Sequence, residues 1–279
     1  MTTLGILHPG SMGVAVAAQA KAGGAEVLWS PAGRSAATKA RAANAGFTPA
    51  SSLSELVQRS DVILSLCPPA NAEEVAASVA AEAFSGIYVD ANAVSPATMA
   101  MISAILRRTN AQLVDGSIVG SPPSTAKTTR FYLSGADAAV QAVAQLFEGT
   151  AVHAYVLAGD IGKASALKLS YSTFQKTSRV LAAVSYALAH DWGVEEDLLD
   201  IARGRTASYL AEIDYFPKVA ARAWRWAPEM REAESALGET CLPTELVEAA
   251  AAVMERWEDV KDLPMGLSET LTRLHRVLD

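Results

Sequence analysis

Cysteine is scarce in this chain of 279 residues. Cys67 and Cys241 are the only two, and their separation matches no metal-binding or redox spacing. A reducing, cytoplasmic setting is therefore expected. No apolar run approaches about eighteen residues, so no membrane span is expected. The amino terminus enters a strand-like LGIL without the basic region and long apolar run of a secretory leader. Positive charge is in deficit, with 23 Lys and Arg against 30 Asp and Glu. The net charge of −7 argues against nucleic acid and anionic membrane as partners. Two further absences are local. No Asp or Glu occurs between Glu26 and Glu55, and neither Gly nor Pro occurs between Gly162 and Gly193.

The second of these gaps organises the chain. From Gly162 to about Asp191 the sequence can run as one helix of roughly 45 Å at 1.5 Å per residue, ended by Gly193. Such a helix is long for one domain and reads as a connector between two. Leu167, Phe174, Leu181, Val184 and Leu188 form its apolar side at three- and four-residue spacing. Lys168, Tyr171, Ser172, Gln175, Lys176 and Arg179 form a polar stripe beside it. That stripe is either a solvated face or the wall of a cleft, since clefts between domains are where ligands bind.

Before this helix the chain alternates. Strand-like runs fall at Thr3–Leu7, Glu26–Trp29, Val62–Leu66, Ile87–Val89, Val114–Ile118, Arg130–Leu133 and His153–Val156. Helical segments fall at Met12–Ala22, Leu53–Arg59, Glu73–Ala83, Ala97–Arg108 and Ala138–Phe147. Alternation of this kind implies a parallel, doubly wound sheet with ligands outside the carboxyl ends of its strands. The loops CPPA, containing Cys67 and Pro68, and DANAVSP, containing Asn92, lie at such ends. After Gly193 every segment reads as helix: Glu195–Ala202, Ala207–Ile213, Pro217–Trp226, Pro228–Leu237, Thr244–Trp257 and Leu267–Leu278.

The first strand, turn and helix frame HPGSMG, an incomplete dinucleotide fingerprint. Gly10 and Gly13 stand at its second and third glycine positions, and His8 stands at the first. At the end of the second strand an NAD-preferring fold places a carboxylate for the ribose diol. The acid-free stretch offers Ser30, Arg34 and Ser35 instead, a guanidinium and two hydroxyls suited to a 2′-phosphate.

In order and over nearly its full length the chain resembles the β-hydroxyacid dehydrogenase and 6-phosphogluconate dehydrogenase superfamily. His8-Pro9-Gly10-Ser11-Met12-Gly13 resembles the family's G-x-G-x-M-G, and Gly33-Arg34-Ser35 the basic motif of NADP-preferring members. Asp90 to Pro96 is similar to D-x-S-T-x-x-P, beside the nicotinamide, and Asp115 to Ser121 to the substrate loop D-A-P-V-S-G-G. Gly159 to Lys168 resembles G-x-x-G-x-G-x-x-x-K, whose lysine is the family's general acid/base. The helical remainder resembles a poorly characterised branch with its own carboxyl-terminal domain. The chain departs from the pattern at Val119, where the family has a substrate-binding serine, and at Ser172, where an asparagine is usual.

The resemblance implies a Rossmann-type NADP-binding domain over residues 1–158. It also implies an all-α substrate and dimerisation domain over residues 159–279, the two joined through the long helix. The expected activity is NADP-dependent hydride transfer between nicotinamide and a small polar hydroxy acid or related alcohol or carbonyl. Gly10, Ser11, Met12 and Gly13 are expected at the pyrophosphate. Ser30, Arg34 and Ser35 are expected at the 2′-phosphate, with Cys67, Pro68 and Asn92 lining the cofactor. Lys168 is expected to exchange the substrate proton, with Ser121, Tyr171 and Ser172 holding the substrate. Lys176 is the rival lysine, about 12 Å further along the axis. Two alternatives stand beside this reading: an imine reductase, which the family lysine argues against, and a catalytically silent NADPH-binding sensor or scaffold. A homodimer built from the helical region is expected, and no metal.

Overall fold

The computed structural model describes residues 1–205, 209, 212–239 and 241–275, except for some helix side chains, among them those of Lys176 and Arg179. It divides into two compact units, Met1–Ser172 and Thr173–Asp279.

The first unit is built on an eight-stranded sheet. Its strands are β1 (Thr3–Ile6), β2 (Glu26–Trp29), β3 (Thr48–Pro49), β4 (Val62–Ser65), β5 (Ile87–Asp90), β6 (Gln112–Val119), β7 (Thr129–Gly135) and β8 (Val152–Val156). The spatial order is β3-β2-β1-β4-β5-β6-β7-β8, and every pair is parallel except β6 with β7. Residues 120–128 between those two contain no helix, and a parallel return needs a crossover of a dozen or more residues. The chain therefore doubles back, pairing Val119 with Arg130.

Helices α1 (Ser11–Ala22), α2 (Ala36–Asn44), α3 (Leu53–Arg59), α4 (Ala72–Ala81), α5 (Pro96–Leu106) and α6 (Asp137–Gln145) link the strands. Side-chain alternation along each strand feeds two apolar layers. Leu4, Ile6, Val62 and Leu64 pack with α1 and α6, whereas Ile63 and Tyr88 pack with α3, α4 and α5. Helix α2 has no counterpart among the elements expected from sequence. Its only apolar residues are alanines, and it is defined by its cap, Ser35, rather than by an apolar stripe.

Helix α7 (Lys163–Asp191) is unbroken, as the lack of Gly and Pro implies, and contributes residues 163–172 to the first unit. Its start is tied to the sheet by a buried carboxylate. Asp115 Oδ2 accepts from the amides of Gly162 (2.8 Å) and Ser165 (3.0 Å), and Oδ1 from the Ser165 hydroxyl (2.7 Å). Ser134 on β7 donates to the same carboxylate at 3.1 Å and accepts from the Ala164 amide. A negative charge at a helix amino terminus, satisfied by several donors, is stabilising even when buried.

The second unit contains α8 (Glu195–Arg203), α9 (Phe216–Glu239), α10 (Glu245–Met254) and α11 (Leu267–Thr272). Two expectations are corrected here. The segments Pro217–Trp226 and Pro228–Leu237 are one helix, with Pro228 inside it and Gly238 in its last turn. Proline removes one amide from the ladder, a loss that packing can offset; Ala220, Ala223 and Ala227 on α9 are buried. The segment expected as Thr244–Trp257 ends as an α-helix at Met254 and continues as a 3-10 turn through Trp257. The expected helix Ala207–Ile213 lies mostly outside the described residues, as does the end of Leu267–Leu278. No helix among the described residues is long and apolar enough to cross a membrane.

Candidate functional site

Strand order sets β1 between β2 and β4, so successive connections leave their carboxyl ends in opposite directions. Open α/β sheets bind ligands at such a reversal. Four loops gather at this edge: residues 7–10, 30–35, 66–71 and 91–95.

Helix α1 opens here with Gly10 as its N-cap, no capping side chain and no acid in its first turn. By contrast α2, α3 and α5 are capped by Ser35, Ser52 and Ser95. The leading amides of α1 are thus left for an external acceptor, and the helix dipole favours an anionic one. The two fingerprint glycines have different reasons to be glycine. A Cβ at Gly13 would collide with the His8 carbonyl oxygen, so α1 closes on β1 only without one. A Cβ at Gly10 would meet nothing, and its φ of −67° suits any residue. Neither packing nor torsion requires glycine at 10. The space above it fits a phosphate approaching the amides of Ser11 and Met12.

A pocket of about 270 Å³ lies alongside. Leu7, Leu53, Val75 and Val79 are its apolar lining, and His8, Arg34, Asn71, Glu74 and Ser78 its polar lining. Two nitrogens of this lining, Arg34 Nε and His8 Nδ1, are buried without a hydrogen-bond partner. Burial lowers the Arg34 pKa from its ordinary value. Burial, and then the adjacent Arg34 charge, lowers His8 to about 4, so its imidazole is neutral at pH 7. Among the described residues no carboxylate pairs with Arg34. Ser30 is buried at the end of β2. Ser35 uses its hydroxyl as the α2 cap, accepting from the Thr38 amide at 3.3 Å.

The loops after β4 and β5 are stitched together by Asn92. Its Oδ1 accepts from the Cys67 amide at 2.6 Å, and its Nδ2 donates to Ser65 Oγ at 3.2 Å and Asp90 Oδ2 at 2.9 Å. The residue is only 2% exposed, so its amide is turned into the protein, where it shapes the loop. Asp90 beneath it is raised to about 6, chiefly by burial, despite the two Asn92 donors. Burial likewise raises the half-buried Cys67 thiol. Pro68 is exposed and precedes a short 3-10 turn, Pro69–Asn71.

At the end of β6, Lys168 Nζ donates to the Ile118 carbonyl at 2.6 Å. Lys168 stands one turn beyond Ser165, which Asp115 holds, so its place on β6 follows from the buried cap. Ser121 is exposed on the following loop, and its carbonyl accepts from the Thr129 hydroxyl. Tyr171 is 38% exposed, and Ser172 is partly buried. Lys163 instead bonds the Ala158 carbonyl at 2.6 Å. The Lys176 and Arg179 side chains lie outside the described residues. Asp90 and Asp115 organise the site, and neither was among its candidate residues. The available signal was a carboxylate inside an otherwise buried strand.

The open amides of α1, the empty space at Gly10 and the unsatisfied Arg34 nitrogen fit an extended dinucleotide: pyrophosphate at the helix, adenosine in the pocket. Among the described residues no group of His, Cys, Asp and Glu could hold a metal ion. The fold and the site define a Rossmann-type dinucleotide-binding protein.

Comparison with known proteins makes this specific. Residues 3–159 match the NAD binding domain of 6-phosphogluconate dehydrogenase, and residues 189–257 match a domain of unknown function (DUF1932). The chain belongs to the 6-phosphogluconate dehydrogenase NAD-binding family, and its cofactor class is a nicotinamide dinucleotide. An uncharacterised 28.5 kDa protein of Methanothermus fervidus is 29% identical over 169 residues, 61% of this chain. The match spans 64% of that relative, less than two thirds of its length. Conserved protein MTH1747, of unknown function and similar in structure to 3-hydroxyacid dehydrogenases, is 25% identical with a TM-score of 0.61, over 98% of this chain and 100% of that one. The 3-hydroxyisobutyrate dehydrogenase of Mycobacterium tuberculosis is 19% identical with a TM-score of 0.65, over 99% and 100%. An imine reductase from Pseudomonas sp. is 16% identical with a TM-score of 0.73, over 98% and 99%.

Proposed function

We propose that the protein is an NADP-dependent oxidoreductase that interconverts a small polar hydroxy acid, or a related alcohol, and its carbonyl. The observation that carries this reading is the bond from Lys168 to the Ile118 carbonyl, which holds a cationic proton donor at the root of the β6 loop. The bound nicotinamide supplies or accepts the hydride. Lys168 Nζ gives a proton to the substrate oxygen during reduction and takes it back during oxidation. Ser121, Tyr171 and Ser172 orient the substrate. Gly10, Ser11, Met12 and Gly13 receive the pyrophosphate, Arg34 with Ser30 the 2′-phosphate. Ser35, whose exposed hydroxyl accepts from the Thr38 amide, is proposed beside Arg34 at the 2′-phosphate; Asn92 acts by shaping its loop, because its amide is engaged within the protein; Cys67 and Pro68 line the cofactor.

Imine reduction is the second reading. It is favoured by Val119, which has no hydroxyl where the resembled family has its substrate-binding serine. A catalytically silent NADPH sensor is the third. The deciding experiment is a panel of hydroxy acids, sugar acids, aldehydes and imines, followed by nicotinamide absorbance with each cofactor. Turnover of hydroxy acids with NADP is expected. Turnover of imines alone overturns the substrate class, and no turnover with any substrate points to the sensor. The protein is further proposed to act in the cytoplasm and to pair with a second copy through its helical region. An apolar groove of about 560 Å³ there, lined by Leu181, Leu188, Trp192, Val194 and Ile201, supports pairing.

A further inference from the structure

His8 occupies the position where the dinucleotide fingerprint has its first glycine. Its backbone is not in the left-handed region, so this turn has no need of glycine. The imidazole lines the same pocket as Arg34, and each residue brings a buried nitrogen with no protein partner. Unsatisfied buried polar atoms are rare because each costs the loss of its hydration. Two of them, carried by two side chains that line one pocket, one a guanidinium that no described carboxylate neutralises, call for a single group able to serve both. A purine could satisfy one nitrogen and would leave the Arg34 charge uncompensated. A phosphate, with three acceptor oxygens and negative charge, serves both.

We propose that His8 is a specificity residue for the adenosine 2′-phosphate, donating from Nδ1 to a phosphate oxygen that Arg34 also binds. The inference rests on the nicotinamide dinucleotide reading of the site and adds a ligand to it. Burial and Arg34 keep the imidazole uncharged, so it can offer one N–H without adding a second buried charge to the pocket. Glu74 and Ser78 of α4, exposed on the same pocket, remain for the purine or ribose.

The test compares adenosine 2′,5′-bisphosphate with adenosine 5′-monophosphate, which differ only in the 2′-phosphate, by calorimetry on the full chain. His8→Gly supplies the fingerprint's own residue and so keeps the turn. It should weaken the bisphosphate about tenfold or more and the monophosphate less than about twofold, because a hydrogen bond to a charged group is lost. His8→Asn, whose amide nitrogen can stand where Nδ1 stands, should recover most of the loss. Bisphosphate, and not monophosphate, should shift the His8 imidazole resonances. Equal weakening of both probes, or an unchanged preference in His8→Gly, overturns the assignment and leaves the dinucleotide reading intact. Failure of the unmodified protein to bind either probe, NADPH or NADH overturns that reading as well.

Discussion

The two units bury their apolar side chains to very different degrees. In residues 1–172 the sheet is sealed: Leu4, Ile6, Leu28, Ile63, Leu64, Tyr88 and Phe131 are all at most 1% exposed. In residues 173–279 the described core cluster contracts to Ala220, Ala223, Trp257 and Val260. There Trp192 is 66% exposed and Ile201 73%. Burial is worth roughly 25 cal/mol per Å² of apolar surface, so the sheet unit carries its own stability. The helical unit leaves more of its apolar surface exposed among the described residues. A scaffold of the first kind can hold charged and polar groups in fixed positions. A surface of the second kind suits assembly. Substitutions in the two units should therefore change different measurements.

The largest effect is expected at Lys168. Lys168→Met keeps length and removes the exchangeable proton, so it should keep NADPH affinity and lose turnover by at least about a hundredfold. Single-turnover kinetics check this. Normal turnover in that variant, with Lys176→Met inactive, would move the chemistry to the other lysine.

Next is Arg34. Arg34→Ala should weaken NADPH about ten- to a hundredfold and NADH far less, the magnitude of a charge-assisted contact to phosphate. Calorimetric titration with both cofactors decides it, and equal binding of the two by the unmodified protein removes the NADP assignment.

A pH effect is expected in the sheet unit above about pH 4. Asp90 is raised from 3.8 to about 6 by burial, so between these values the folded chain holds a proton that the unfolded chain has released. Its contribution to stability is complete below about pH 4 and is lost as pH rises through 6, on the order of 2–3 kcal/mol in total. His8 opposes it, since a lowered histidine disfavours the folded state below its unfolded pKa near 6.5. Urea unfolding of Asp90→Asn at pH 5 and pH 7.5 should lose the Asp90 slope and retain the opposite one. An unchanged pH profile contradicts the buried carboxylate.

The smallest effect on stability is expected in the helical unit. Ile201→Asp replaces an exposed apolar side chain, so the monomer should lose little. The change should instead shift sedimentation from dimer to monomer at micromolar concentration. An unmodified protein that already sediments as a monomer would end the argument for pairing.

Much of the sheet unit was legible in the sequence because its signals are local. Leu53–Arg59 and Glu26–Trp29 were read to the residue. The unbroken α7 followed from the absence of two residue types over Lys163–Asp191. Gly13 was legible as a packing glycine for the same reason: strand, turn and helix lie within a few residues of one another. The acid-free stretch after Glu26 marked Arg34 before any pocket was visible. What depended on distant partners was not legible. The antiparallel return of β7, the unbroken α9 through Pro228 and the inward turn of Asn92 are decided by contacts with other elements. Asp115 is the plainest case. Its sequence neighbours identify a strand, but only the meeting of β6 with Gly162 and Ser165 turns the carboxylate into the cap that carries Lys168 to the Ile118 carbonyl. Periodicity and turn chemistry are properties of short segments, and a linear sequence records them directly. Which buried polar atom finds a partner depends on residues 47 and 50 positions away, and only the folded chain brings those together.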